Sequence, residues 1–132
     1  MANCFTCRGQ DCGGLGLTFD IVDDEVCGEW TGSKNFESYV GIIHGGILAT
    51  LLDSTMVHAL FAYGIAARTG RFELRYRRSV RSAVPLVIQT HICEKHHPLY
   101  LMEASILQDN AVCVEATGKF MATAVYAEKD LF

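Results

Sequence analysis

The sequence has no excess of basic residues, and this limits the kind of molecule that the protein is expected to bind. Its 11 lysines and arginines stand against 15 aspartates and glutamates, so the formal net charge is −4 at pH 7. A protein that binds nucleic acid in general carries a positive surface, because much of the affinity comes from contacts with phosphates. We therefore expect no nucleic-acid partner.

Internal repeats, low-complexity tracts and linkers are also absent from the sequence. Half of the 132 residues are hydrophobic and 20% are charged, which is typical of a globular protein and excludes a disordered one. We expect a single domain over residues 1–132. Residues 1–14 are expected to form an irregular leader, because glycines interrupt any periodicity there.

No apolar segment opens the chain, whose first residues carry Cys4, Cys7 and Cys12 among polar side chains. We therefore expect no signal peptide, a cytoplasmic location and mostly reduced thiols. The three cysteines could supply zinc ligands, but no further cysteine or histidine lies nearby in the sequence to complete a set of four. We favour a cysteine-rich strap and expect no metal site.

Ionisable side chains are nearly absent from one long apolar segment. Between residues 47 and 63 only Asp53 and His58 can ionise. The segment is long enough to raise the question of a membrane span, but ionisable side chains would be costly there. We therefore predict a buried helix over about residues 45–63, ended by Gly64, and no membrane partner.

Asp53 is the most informative residue of this predicted helix. A carboxylate rarely lies in a buried helix unless it is paired or takes part in chemistry. The segment opens with His44, Gly45 and Gly46, and the backbone N–H groups at a helix start can bind an anion or a polarised carbonyl oxygen. A candidate base and a candidate oxyanion site in one segment favour acyl chemistry.

The rest of the chain has the alternating pattern of β-strands. Two short strands are predicted before the helix, over residues 15–22 and 26–31, with a turn at Asp23 and Asp24. Four longer strands are predicted after it, over residues 71–77, 85–93, 99–107 and 111–126. This order predicts an α+β fold, in which one helix packs on a curled antiparallel sheet whose last four strands form a meander.

The predicted helix is apolar nearly all round, apart from a narrow stripe of Thr50, Ser54 and His58. One small sheet covers only one side of a helix, so we expect a second subunit to cover another side. His44 and Asp53 are nine residues apart, about 13 Å along a helix and on opposite faces. Two copies related by a twofold axis could bring them together, so we expect a homodimer with shared active sites, or a dimer of two such dimers.

The segment around Asp53 resembles that of a known family. His44, Gly45 and Gly46, with Asp53 nine positions after the histidine, are similar to the helix motif of the hotdog-fold acyl-CoA thioesterases. The most similar branch is the phenylacetate-pathway type within the 4-hydroxybenzoyl-CoA thioesterase superfamily. The resemblance extends to the leader and to residues 115–121. It implies a hotdog fold, in which a curled antiparallel sheet wraps one long central helix, and hydrolysis of an acyl-CoA substrate.

The resemblance also implies roles for individual residues. Asp53 would activate water or attack the thioester carbonyl, the N–H of Gly45 would polarise the thioester oxygen, and His44 would shape the helix start. Thr69, seven positions before the strand tyrosine, would hold the attacking water. Members of the family often carry asparagine or glutamine where this chain has Ser38, so the contact that orients the carbonyl differs here.

Six of the 11 basic residues are arginines between positions 68 and 81. In an acidic protein they form a local positive patch, which suits either the phosphates of coenzyme A or the solvated face of a strand. Arg77 and Arg78 are candidate substrate contacts, together with Ser38 and Gly46 near the helix start. Coenzyme A would enter as part of the acyl-CoA substrate, and we expect no separate cofactor.

Two other functions stay open from the sequence. An acyl-CoA hydratase or dehydratase could use the same fold, but its paired aspartate and histidine do not open this helix. A non-catalytic acyl-CoA-binding protein could keep the site without turnover. The acyl group and the choice between general base and nucleophile for Asp53 also stay open.

Overall fold

The computed structural model describes residues 4–22 and 25–123, which form one α-helix on one six-stranded antiparallel sheet. The helix, α1, spans Gly45–Ala62. The strands are β1 (Thr18–Val22), β2 (Glu25–Trp30), β3 (Ala67–Tyr76), β4 (Leu86–His96), β5 (Leu99–Gln108) and β6 (Ala111–Ala122). The predicted turn at Asp23 and Asp24 and the end of the last predicted strand, residues 124–126, lie outside the described residues.

Helix α1 begins and ends close to the positions predicted from the sequence. His44 immediately precedes it, and the Nδ1 atom of His44 accepts a hydrogen bond from the N–H of Gly46 at 2.8 Å. Gly64 follows its end with a φ of +80°, a conformation that glycine adopts without steric cost. The N–H of Gly64 donates to the carbonyl of Phe61 at 2.9 Å. The His44 side chain and the Gly64 N–H thus each bond to a backbone group that a helix terminus leaves without a partner.

The order of the strands in the sheet is β1-β2-β4-β5-β6-β3. The prediction that all four strands after the helix form one meander is therefore wrong, because β3 pairs with β6 and lies at the edge. Residues 77–85 join β3 to β4 without forming a hairpin and bond instead to the segment before α1. The N–H of Ile43 donates to the carbonyl of Val80 at 2.8 Å. A connection of this length lets the chain cross to the other side of the meander, where β4 pairs with β2.

Helix α1 packs against alternate residues of the sheet. In β6 the side chains of Val114, Ala116 and Phe120 are buried, as the alternation predicts. Gly118 belongs to the same row, and a Cβ atom there would come 2.6 Å from the ring of Phe120 and 3.1 Å from the Sδ of Met56. The helix therefore packs on the sheet at a position where no side chain fits. The buried residues of α1 are Leu48, Leu51, Leu52, Thr55, Met56, Ala59 and Leu60.

The remaining surface of α1 is half-buried and largely apolar, and it includes Ile47 and Val57. By length and composition alone the helix could span a membrane, a test that the core helix of a soluble protein also passes. The helix and the antiparallel sheet together give the α+β architecture predicted from the sequence.

Candidate active site

A β-bulge in β3 turns Thr69 toward the helix. The pairing of β3 with β6 shifts register between Thr69 and Arg71, so Gly70 is an extra residue in the strand. Phe72 packs against the core after the bulge, and Ala67 packs against it before the bulge. Side chains alternate along a strand, so one inserted residue exchanges its two faces. Thr69 consequently lies on the same face as Phe72, although their positions differ by an odd number.

Asp53 on α1 and Thr69 on β3 form the first half of the candidate site. The Oγ1 of Thr69 donates a hydrogen bond to the Oδ1 of Asp53 at 2.6 Å. A bond this short is typical of a hydroxyl that donates to a carboxylate. Asp53 is half-buried and Thr69 is exposed, so solvent and ligands reach the pair in the single chain. Within the described ranges the Oδ2 of Asp53 has no hydrogen-bond partner, which leaves it available to a water or a substrate atom.

The start of α1 forms the second half of the candidate site. Gly45 is the first helical residue, so the helix offers no carbonyl to its N–H. The next N–H group, that of Gly46, is already bonded to the Nδ1 of His44. Among the residues that the structure describes, the Gly45 N–H has no acceptor, so it is free to donate a hydrogen bond.

Tyr76 at the end of β3 is a residue that the sequence reasoning missed. Its hydroxyl donates to the carbonyl of Gly45 at 2.8 Å and ties the helix start to the strand. In the sequence Tyr76 only continues the alternation of its strand. No local signal could have found its partner, because 31 positions separate the two residues.

A depression with a volume of about 360 Å³ opens beside the helix start. Gly45, Ser38, Arg77 and Arg78 line it, so four of the residues chosen from the sequence lie together. Tyr39 lines it as well and is 80% exposed. A large aromatic side chain left in solvent beside a depression is typical of a surface that a ligand or another subunit covers.

Two further residues chosen from the sequence line a second depression, of about 380 Å³. These are His44 and Gly46, and Asn35, Ile47 and Thr50 lie beside them. Since the N–H of Gly46 is bonded to His44, Gly46 can contribute to ligand binding only through its shape and its small size.

The arginine patch is less positive than the sequence alone predicts. Three of its arginines pair with exposed carboxylates, and such pairs contribute about 0–1 kcal/mol each. Arg78 has no carboxylate partner within the described part of the chain and keeps its charge available. The pairs are Arg71 with Glu73, Arg77 with Glu115, and Arg81 with Asp109.

The two halves of the candidate site do not meet within one chain. Gly45 and Asp53 are eight residues apart on the same helix, which corresponds to about 12 Å along its axis. The structure brings Thr69 to Asp53, and it brings Ser38, Arg77 and Arg78 to Gly45. One thioester group cannot contact Asp53 and Gly45 of the same chain at once.

The cap at the helix start gives a first prediction, which concerns stability. We expect His44→Ala to lower the free energy of unfolding by about 1 kcal/mol, because the N–H of Gly46 loses its acceptor. Urea unfolding followed by circular dichroism measures the difference. His44→Asn is the matched control, since asparagine can accept the same bond. Wild-type stability of the alanine variant would show that the cap contributes nothing.

His58, the last residue of the predicted polar stripe, lies outside this candidate site. Its ring packs on Phe19 with the ring centroids 4.5 Å apart, and its Nε2 faces the thiols of Cys4 and Cys7. Burial lowers the pKa of His58, so the ring is neutral at neutral pH. No histidine lies near the leader in the sequence, but the fold brings His58 next to it.

Comparison with known proteins shows which family and which folds this chain is similar to. Residues 40–95 match the model of the thioesterase superfamily. This match contains the whole of α1 and β3 and therefore both halves of the candidate site. No curated protein matches the sequence.

Several solved structures share the fold. The thioesterase superfamily protein RHA08564 is 25% identical with a TM-score of 0.77; the match covers 82% of this chain but only 57% of that one. This chain thus spans little more than half of that protein's length. The PaaI protein from the phenylacetic acid degradation operon of E. coli is 16% identical with a TM-score of 0.80, covering 89% and 86% of the two chains.

A hypothetical thioesterase from Streptococcus pneumoniae TIGR4, determined with coenzyme A, is 18% identical with a TM-score of 0.77, covering 84% and 91% of the two chains. Further structures of that protein carry alanine in place of an aspartate or of a threonine, and those two positions have the same spacing as Asp53 and Thr69. Our chain has the hotdog fold and matches the thioesterase superfamily over residues 40–95, which confirms the resemblance predicted from its sequence.

Proposed function

We propose that this protein is an acyl-CoA thioesterase, which hydrolyses a thioester to a free acid and coenzyme A. The observation that carries the proposal is the 2.6 Å hydrogen bond that holds the carboxylate of Asp53 against Thr69 at an accessible position. The S. pneumoniae protein supports the choice of ligand, because its structure was determined with coenzyme A. Its alanine variants concern the same two residue types at the same spacing.

Thioester hydrolysis needs a group that activates water and a donor for the oxygen that gains negative charge. Asp53 takes a proton from a water molecule as that water attacks the carbonyl carbon. Thr69 holds the carboxylate, and its oxygen can accept a hydrogen bond from the same water. The C–S bond then breaks, and the sulfur of coenzyme A leaves with the electron pair and takes up a proton. Direct attack by Asp53, followed by hydrolysis of the anhydride, gives the same products.

The oxyanion donor is the N–H of Gly45 from a second copy of the chain. Within one copy Gly45 lies about 12 Å from Asp53 along the helix. Two copies related by a twofold axis can place the helix start of one against the carboxylate of the other, which yields two equivalent sites. Exposed apolar side chains near the helix start support such an association, since Tyr39 is 80% exposed and Val40 is 98% exposed.

Coenzyme A would lie along the depression beside the helix start. Its phosphates would contact Arg78, and also Arg77 if the exposed pair with Glu115 opens. Ser38 lines the same depression and would contact the thioester end of the ligand. The acyl group would extend toward the apolar surface that α1 leaves half-buried.

Release of free thiol from a panel of aromatic and aliphatic acyl-CoAs tests this function. We expect turnover of at least one of them by the wild-type chain, and the best substrate would identify the acyl class. Absence of turnover on every thioester by folded protein would overturn the proposal. Tight binding of a thioether analogue of an acyl-CoA would then favour a non-catalytic binding protein.

Mixing two inactive variants tests whether the site is shared. One variant, Asp53→Ala, lacks the carboxylate, and the other, Gly45→Pro, lacks the donor. After subunit exchange half of the dimers are mixed, and each mixed dimer has one intact site, so we expect about a quarter of wild-type activity to return. Each variant exchanged with itself is the control. If activity does not return although mass spectrometry detects mixed dimers, both groups act within one chain.

A further inference from the structure

The leader folds back onto α1 and brings two cysteines to one histidine. The Nε2 of His58 lies 3.1 Å from the Sγ of Cys7 and 3.6 Å from the Sγ of Cys4. All three atoms lie within 4.8 Å of one another. The cysteines are 54 and 51 positions from the histidine, so only the fold makes them neighbours.

Contacts that involve no sulfur hold the leader in this place. The N–H of Leu15 donates to the carbonyl of Phe5, and the N–H of Leu17 donates to the carbonyl of Thr6, both at 2.8 Å. On the helix side, the Oγ of Ser54 donates to the Oγ1 of Thr6 at 2.9 Å. The two thiols are therefore positioned by the backbone of the leader and by α1, before any ligand binds.

We propose that Cys4, Cys7 and His58 bind one zinc ion, with a water molecule as the fourth ligand. Protein-bound zinc is four-coordinate, at about 2.3 Å from thiolate sulfur and about 2.0–2.1 Å from imidazole nitrogen. Tetrahedral geometry with these bond lengths separates a sulfur and a nitrogen ligand by about 3.6 Å. The Cys4–His58 distance of 3.6 Å already fits, and the Cys7–His58 distance of 3.1 Å has to open by about half an ångström.

The surroundings suit a thiolate at Cys4 and a fixed imidazole ring at His58. The Oγ1 of Thr6 lies 2.8 Å from the Sγ of Cys4. Since Thr6 accepts its hydrogen bond from Ser54, its own hydrogen is available to the sulfur. Packing on Phe19 fixes the plane of the His58 ring with Nε2 toward the cysteines. Outer contacts of this kind orient the ligands of metal sites.

Cys12 is not one of the ligands, although it lies in the same leader. It is exposed, and its sulfur is not among the clustered atoms. The third protein ligand comes instead from α1, so the ion would connect the leader to the central helix. His58 follows Asp53 by five residues, which is about 140° round the helix, so the ion would lie away from the candidate active site.

Metal content of the full chain tests this proposal. Protein made in zinc-containing medium, without a histidine tag or chelator, should carry about one zinc per chain. Chain stripped of metal and loaded with Co²⁺ should show sulfur-to-cobalt charge-transfer absorption. Cys4→Ser, Cys7→Ser and His58→Gln should each weaken zinc binding by at least about 100-fold, measured against a chromophoric chelator. Cys12→Ser is the matched control and should bind like wild type.

Several results would overturn the zinc site, and none of them depends on thioesterase activity. The first is a wild-type chain that takes up no zinc at micromolar free zinc. The second is zinc binding by the three ligand variants that equals that of the wild-type chain. The third is loss of zinc binding in Cys12→Ser. A disulfide between Cys4 and Cys7 in chain purified with reductant, seen as a mass two hydrogens lower, would also count against it. Should a variant fail to fold, the cobalt absorption of the wild-type chain still decides.

Discussion

With Asp53 changed to alanine, turnover of the best acyl-CoA should fall by about 1,000-fold, because a positioned acid–base group typically contributes about 100- to 10,000-fold. The KM should change little, since the carboxylate acts on the attacking water and does not hold the ligand. Folding should also be little affected, because the side chain is only half-buried and bonds to one hydroxyl. Steady-state release of free thiol gives both constants.

Matched variants separate the chemistry of Asp53 from its shape. Asp53→Asn keeps the volume and should lose nearly as much turnover as the alanine variant. Thr69→Val removes only the hydroxyl that holds the carboxylate and should cost less, about 10-fold, whereas Thr69→Ser should keep most of the activity. Asp20→Asn, on exposed β1, is the control and should behave as wild type. Full activity in Asp53→Asn would mean that another group activates the water.

Gly45→Pro should lower kcat by about 100- to 1,000-fold while the chain stays folded, because one lost oxyanion donor typically costs about 3 kcal/mol. Proline removes the N–H and little else here. At the first helical position this N–H takes no part in the helix, and proline is favoured there. His44 has a φ of −58° and a ψ of 131°, which suits a residue that precedes proline.

Gly45→Ala is the control for the proline variant, since alanine keeps the N–H. Its Cβ would lie 3.5 Å from the ring of Tyr76, an ordinary van der Waals contact. We expect the alanine variant to retain most of its turnover. Equal turnover in the proline and alanine variants would remove Gly45 from the proposed mechanism, and the N–H would then have no part in the reaction.

Local signals in the sequence predict α1 well. The start after His44 and the stop before Gly64 both depend on side chains and dihedral angles within one turn of the helix end, and each is observed. The turn between β5 and β6 is also local, since adjacent residues Asp109 and Asn110 both adopt a positive φ. The conformation of helix ends and tight turns is determined by adjacent residues, so the sequence predicts it.

Pairing between distant segments is harder to predict. The sequence shows β3 as a strand but gives no sign that β6, rather than β4, is its neighbour. The contact between His58 and the leader cysteines cannot be predicted from the sequence for the same reason, because 51 positions separate Cys7 from His58. Asp53 and the helix start at His44 were chosen from their pattern, whereas the Gly45 N–H and Thr69 came only from the family resemblance. The orientation of Thr69 depends on the bulge at Gly70, which no local signal predicts.

Gly70 also decides how this chain would have to be aligned with a relative that lacks the bulge. In a strand without the bulge, the helix-facing position would be six residues before Tyr76 instead of seven, because side chains alternate. An ungapped alignment anchored on Tyr76 would set the hydroxyl residue of such a relative opposite Gly70, and this chain would wrongly be scored as lacking it. A gap of one residue within β3 matches that hydroxyl residue with Thr69.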